Sequence, residues 1–595
     1  MIERKMQRVG DTWDLSTVYQ NKNDYLDEYK KVKERIEKID IYRGQLLKDS
    51  KNLLAFLKES EEIERILEKM ATYTYRKYDE DLTNVEYQSL KGEFTNLYFL
   101  YEEKSSYFVP EIMKEEYDRV HNMILKNDEL RPYELLLKRL FDQKKYILSE
   151  KEEKLLSVLS PALNESEMIS DIVRDAEIQF SKIEDENGNL VEINNENFSV
   201  YLKSKDRHVR KDAFHSIYQS YKSYRQTLSE TLQGNVMSIS FVNKLRGYPS
   251  SKDASLIKNR VNPKVYDNLI SAVHDKMDVI YDYFKLKKEV LNISDFSLYD
   301  TYLNLSDKKE HSYSYEEAKN IVLDVVKVFG DDYTKTVKKA FSERWIDVYP
   351  NKGKRGGAYS SGSYDTNPFI LLNFQGEYHD LETLIHELGH SMHSYYSNKN
   401  NLYTYSSYKI FVAEVASTVN ELLLNYYLLE NTQDKEEKKY ILSEMMELFK
   451  STIYRQTMFS EFEEFVYRSY EKENKVLTYD FLCDKYLELN KEYFGDEVVI
   501  LDDIKYEWLR VPHFYYNFYV YQYATGLAAA CYIVRRIQRK EKNAVEDYLA
   551  FLKTGNSMDP LECLKVAGVD MLDSDVIYQA LDMFQELIQE FRTLM

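Results

Sequence analysis

The 595-residue chain has only three cysteines, Cys483, Cys531 and Cys563, with no CxxC pair among them. That scarcity excludes a disulfide framework and fits a reducing cytoplasm. No run of 18 apolar residues occurs; the strongest stretch, Ala524 to Val534, is short and is followed by Arg535 and Arg536. It reads as a buried helix rather than a membrane span. Glu3, Arg4 and Lys5 stand where a secretion signal would need its apolar stretch. Basic residues are in deficit, 81 Lys plus Arg against 101 Asp plus Glu, for a net charge of −20. Such a balance disfavours nucleic acid and anionic membranes as partners and leaves peptides, small molecules or proteins. The phosphate-loop pattern GxxxxGK[ST] is absent, as are internal repeats, low-complexity tracts and any extended basic stripe with aromatics.

What is present suits a large globular protein. Hydrophobic residues at 43% can line a sizeable core, charged residues at 31% suit the exterior, and the length allows roughly three to four domain-sized units. From Asp24 to Ser170 the chain is rich in Glu, Lys, Leu and Tyr, with apolar residues three to four positions apart and very few Pro or Gly. Long amphipathic helices follow, with Ile63, Ile66 and Met70 on a shared stripe and Leu67 beside it. A β-hairpin is expected near 180–200, turning at Glu186-Asn187-Gly188-Asn189. Helix resumes near Arg207 and runs to about Glu289, interrupted around Gly247-Tyr248-Pro249. A small strand-bearing lobe is expected at 334–376, with Phe369 to Phe374 as a strand. From Leu381 onward the pattern is helical, with breaks near Gly495, Gly555 and Gly568. In chain order this gives an N-terminal helical lobe at 1–200 and a catalytic region at 201–595.

His386-Glu387-Leu388-Gly389-His390 forms an HExxH motif. On a helix, His386 and His390 lie on one face and can aim both imidazoles at a single Zn2+, while Glu387 projects beside them toward water. Two histidines leave such a site one protein ligand short. Downstream, Phe411 to Glu421 is an apolar helix carrying Glu414 and Glu421, seven residues or about two turns apart, so both carboxylates share a face. Glu414 is the expected third ligand, and Glu421 is expected to accept from a ligating imidazole and fix its orientation. His393 and Asp380 are weaker candidates for metal contact, Asp380 also as a supporting carboxylate. Taken alone, a dense aromatic stripe such as His513 to Tyr523 is more often core; helical spacing would put Tyr516, Tyr519 and Tyr523 on one face with His513 a turn earlier. Gly357-Ala358-Tyr359 reads as an edge strand or glycine-rich loop able to pair with an extended peptide, or as an ordinary turn.

These features resemble oligoendopeptidase F and the thimet oligopeptidase-like gluzincins. The likeness rests on Arg355 to Ser360, Asn367 to Phe374, His386 to His393 and Phe411 to Glu421, in that order, with Trp13-Asp14-Leu15 similar to the family start. It implies a mainly α, multi-lobed helical metallopeptidase with a small β-sheet beside the HExxH helix and a deep central cleft. It further implies one Zn2+ per chain held by His386, His390 and Glu414, and Glu387 as general base. His513 with one or two tyrosines then becomes a source of hydrogen bonds to substrate and oxyanion. Tyr519 and Tyr523 match the family only with a small gap after His513, and Tyr516 is retained as a spatial candidate. The expected activity is zinc-dependent cleavage of internal bonds in short, unstructured peptides, in the cytoplasm, by a monomer or homo-oligomer. The alternatives are a dipeptidyl carboxypeptidase of the same family and a non-catalytic helical peptide-binding protein with a structural zinc site.

Overall fold

Residues 2–306 and 311–595 are described by the structure, a computed structural model. Helices dominate, as the periodicity predicts, and the strands among the described residues are short. The helices used below are α1 (Ser50–Glu80), α2 (Arg225–Leu245), α3 (Tyr378–Asn400), α4 (Ile410–Asn431), α5 (Arg455–Glu471) and α6 (Tyr521–Gln538). α1 shows why such segments are helical: Asp49 caps it by accepting from the Lys51 and Asn52 amides, and Leu53, Phe56, Ile63, Leu67 and Met70 are buried along one stripe. Each such side chain contributes about 1.5–3 kcal/mol on burial.

The chain divides into two compact units. One comprises Met1–Ile147, Glu310–Leu424 and Arg536–Gly568; the other comprises Leu148–Lys309, Asn425–Arg535 and Val569–Met595. A boundary at residue 200 follows chain order, whereas each unit gathers sequence-distant segments. The predicted hairpin forms from β1 (Lys182–Glu184) and β2 (Leu190–Glu192), with Ile183 opposite Val191, and belongs to the second unit.

In the first unit, β3 (Ile346–Asp347), β4 (Tyr359–Ser361) and β5 (Phe369–Leu371) form a sheet in the order β3-β5-β4. β5 is buried throughout, parallel to β3 and antiparallel to β4, with Ser360 opposite Ile370. β4 is therefore an edge. The strand expected to reach Phe374 ends at Leu371, although the Leu372 amide donates to the Asp347 carbonyl at 2.8 Å and the Phe374 amide to the Val348 carbonyl at 3.0 Å. The lobe begins later than 334, because Asp331–Ser342 is a helix burying Tyr333, Val337 and Ala340.

Candidate metal centre

α3 and α4 bring the predicted donors together. His386 Nε2 and His390 Nε2 lie 3.1 Å apart, and Glu414 Oε2 is 3.6 Å from the first and 3.5 Å from the second. Ligands on a tetrahedral zinc at its usual bond lengths are roughly 3.3 Å apart, so this donor set fits the ion. Among the described residues, these three are the group of His, Cys, Asp and Glu side chains whose atoms converge closely enough to hold a metal. The carboxylate of Glu421 accepts from His386 Nδ1 at 2.8 Å. Because a carboxylate only accepts, the imidazole proton sits on Nδ1 and the Nε2 lone pair is left for a cation. Burial alone would lower the His386 pKa, but the hydrogen bond to Glu421 and the charges of Glu421, Glu387 and Glu414 raise it to about 9. Hydrogen bonding with His390 holds Glu414 below its ordinary range, against the effect of burial. The pocket thus carries a negative field suited to a cation. Replacing Glu421 by Ala is expected to weaken zinc affinity by roughly 10–100-fold, measured by competition with a chelating dye, since the imidazole loses the partner that orients it.

The approach of the two helices depends on Gly389. A Cβ there would stand 2.5 Å from Ser417 Cα, 2.8 Å from the Ser417 nitrogen and 2.8 Å from the Ala416 carbonyl, all backbone atoms that cannot swing aside. Asn420 adds a tie by donating to the Ile385 carbonyl at 3.1 Å. Gly389→Ala is therefore expected to cost about 1–3 kcal/mol, read as a lower thermal midpoint with weaker zinc binding.

Glu387 is 7% exposed, and its Oε2 has no hydrogen-bond partner. Burial raises its pKa, opposed by the His386 and His390 charges and by a backbone hydrogen bond from Ser360 on β4. Ser360 Oγ also shares a hydrogen bond with Ser391 Oγ at 2.8 Å, fastening the edge strand to the HExxH helix. Of the proposed peptide-binding segment, Gly357 takes a φ of +76° and its carbonyl accepts from Asn373 Nδ2 at 2.8 Å. Tyr359 begins β4, and its hydroxyl donates to Asp79, which also pairs with Arg355 at 2.5 Å. Ala358 lies between them, immediately before the strand.

Asp380 and His393 stand apart from the donor set. Asp380 accepts from the Gln375 amide at 2.8 Å and the Glu377 amide at 3.0 Å, capping the start of α3. His393 is fully buried, stacks on Tyr408 with ring centroids 3.8 Å apart, and has neither ring nitrogen hydrogen-bonded. Burial, with the nearby His390 charge, lowers its pKa to about 3, so it is a neutral packing residue.

The second unit holds the aromatic group, in a backbone that differs from the expected helix. Pro512–Tyr515 is a single 3-10 turn, Asn517 and Phe518 have φ of +48° and +55°, and regular helix begins only at Tyr521. Left-handed conformations break the helical spacing, yet the rings still gather. The His513 centroid lies 5.6 Å from Tyr516, 6.3 Å from Tyr519 and 6.1 Å from Tyr523. Burial, assisted by Arg174, lowers the His513 pKa, favouring a neutral imidazole with one N–H to donate. Two consecutive non-glycine residues in this region cost of order 1–3 kcal/mol each, a strain that persists where surrounding structure dictates it.

A helical fold that converges HExxH with a downstream glutamate, with a second carboxylate behind the first histidine, defines a metallopeptidase. The model of peptidase family M3 matches residues 200–583, and that described as oligopeptidase F matches residues 111–180. Oligopeptidase PepF of Bacillus subtilis is 40% identical over 593 residues, covering 100% of this chain and 88% of that protein. Group B oligopeptidase PepB of Streptococcus agalactiae is 38% identical, with 100% and 98% covered. The crystal structure of oligoendopeptidase-F from Enterococcus faecium superimposes with a TM-score of 0.74 at 31% identity, covering 96% of this chain and 99% of that one. The chain belongs to peptidase family M3. Peptide hydrolysis is accordingly its class of reaction.

Proposed function

We propose that the chain is a zinc-dependent endopeptidase cutting internal bonds of short, unstructured peptides, with Glu387 as general base. The observation that carries this reading is a buried carboxylate, one oxygen unpartnered, beside a three-donor cation site. A structural metal site has no use for such a base, which weighs against a non-catalytic binding protein. His386, His390 and Glu414 would hold one Zn2+ per chain, and the bound ion would supply Lewis-acid polarisation and make water a better nucleophile at neutral pH. Glu387 takes the proton of the attacking water and returns it to the leaving amine. Burial favours this return, because it lifts the Glu387 pKa and makes the protonated form accessible.

His513, Tyr516, Tyr519 and Tyr523 are proposed to donate hydrogen bonds to the carbonyl oxygen as negative charge develops on it. Their gathering into one aromatic group, and the neutral state favoured for His513, support that role. The free edge of β4 is proposed to pair with extended substrate through Gly357, Ala358 and Tyr359. Asn373 already occupies the Gly357 carbonyl, so the remaining backbone groups of that segment carry the pairing. Action in the cytoplasm is part of the proposal, supported by three dispersed cysteines and by the lack, among the described residues, of any helix long and apolar enough to cross a membrane.

The name oligoendopeptidase-F borne by the similar Enterococcus faecium protein supports internal cleavage. The test is a peptide of about ten residues, acetylated at one end and amidated at the other, with products identified by mass spectrometry. Cleavage at an internal bond is expected. Failure on the blocked peptide, with release of carboxyl-terminal dipeptides from its free-acid form, would make the chain a dipeptidyl carboxypeptidase instead.

A further inference from the structure

One ionisable side chain in the second unit has no cationic partner among the described residues and no part in the chemistry above. Glu463, on α5, is 2% exposed, and no cationic side chain pairs with it among the described residues. Its Oε1 accepts from the Phe518 amide at 2.6 Å, while its Oε2 is buried without a partner. An unpaired carboxyl in a protein interior is expensive, so its presence calls for a local return. Phe518 is the second of the two left-handed residues, and it lies between His513-Tyr516 on one side and Tyr519-Tyr523 on the other.

Other contacts converge on the same turn. Ser255 Oγ donates to the Asn517 carbonyl at 3.0 Å, and Asn235 Nδ2, from α2, donates to the Tyr515 carbonyl at 3.3 Å. The Phe518 ring packs against Tyr467 and Tyr266 at centroid distances of 5.1 and 5.7 Å. The carbonyls and the ring are therefore held by hydroxyl, amide and aromatic neighbours, but the Phe518 amide is held by Glu463. A phenylalanine has no intrinsic preference for φ of +55°, so this hydrogen bond bears on the conformation directly.

We propose that Glu463 is a positioning residue: by accepting from the Phe518 amide it holds the Asn517–Phe518 turn in its left-handed form and keeps His513, Tyr516, Tyr519 and Tyr523 together as one donor group. The required property is an acceptor of this length at this place, not a negative charge. Burial pushes the Glu463 carboxyl up to about 8, so the neutral acid, which glutamine imitates, is the form present at neutral pH.

The experiment compares Glu463→Gln, which keeps the acceptor, with Glu463→Met, which keeps the length and loses it. Steady-state kinetics on a quenched fluorescent peptide, zinc content, and hydrogen exchange across residues 513–523 are measured for both. Glutamine is expected to leave kcat within about two-fold of the parent, and methionine to lower kcat at least about ten-fold with little change in KM, as misplaced reacting groups do. Zinc content and exchange across α3 stay at parental values, while exchange across 513–523 accelerates in the methionine variant alone. Equal kinetics and equal exchange in the two variants would overturn the proposal, as would a glutamine variant as impaired as methionine.

The inference rests on the donor role proposed for this aromatic group, and His513→Ala separates the two. If that substitution leaves kcat unchanged, the donor role fails; if it lowers kcat and Glu463→Met does not, only the role of Glu463 fails.

Discussion

Glu387→Gln is expected to lower kcat by about a thousand-fold or more while the protein keeps a full complement of zinc, a loss within the range of general acid–base catalysis. The amide preserves size but cannot take a proton from water. Glu387 is not one of the donors that would hold the ion: His386, His390 and Glu414 converge without it, and its own Oε2 is unpartnered. Metal content and catalysis should therefore separate in this variant. The fold should be unaffected, because the Ser360 hydrogen bond needs only an acceptor, which glutamine retains. Zinc analysis beside single-turnover cleavage checks both halves of the expectation.

Glu414→Ala should do the opposite and remove metal and activity together. Its Oε2 stands 3.5 to 3.6 Å from the Nε2 atoms of His386 and His390, so alanine leaves two donors where a zinc site with bound water needs three. Loss of a mere supporting carboxylate costs roughly 10–100-fold in affinity, and loss of a direct ligand should exceed that range. Activity should fall about a thousand-fold or more at limiting zinc and recover in part when zinc is supplied in excess. If Glu414→Ala holds zinc as tightly as the parent, Glu414 is not a ligand, and the nearby Glu421 would become the candidate to examine.

Much of this site was legible because its spacings are local. His386 and His390 stand four positions apart, and Glu414 and Glu421 seven, spacings that map onto helix faces whatever the rest of the fold does. The helical reading of most of the chain succeeded for the same reason, with Gly247, Gly495, Gly555 and Gly568 marking breaks that local chemistry imposes. What was not legible depends on chain segments far apart in sequence. Gly389 sits inside the motif, but only the backbone of Ser417 against it explains why a side chain is excluded. His393 differs from His390 by burial against Tyr408, not by spacing. Asp380 is three residues from Glu377, whose amide it caps, a role that competes with metal support and follows from where the helix starts. The aromatic group was found by composition, whereas its conformation was not, since nothing in Asn517 and Phe518 announces consecutive left-handed residues. That turn exists because Glu463, Ser255 and Asn235 hold it from other helices. The compact units were illegible for a related reason: each gathers three segments interrupted in the chain by stretches of the other.

The most direct test of the central claim is a zinc titration of metal-free protein, with cleavage of an end-blocked peptide followed in the parent and in Glu387→Gln. Saturation at one zinc per chain in both, with internal cleavage regained only by the parent, is the predicted result. Cleavage by the parent that does not depend on zinc, or equal recovery in the glutamine variant, would contradict it.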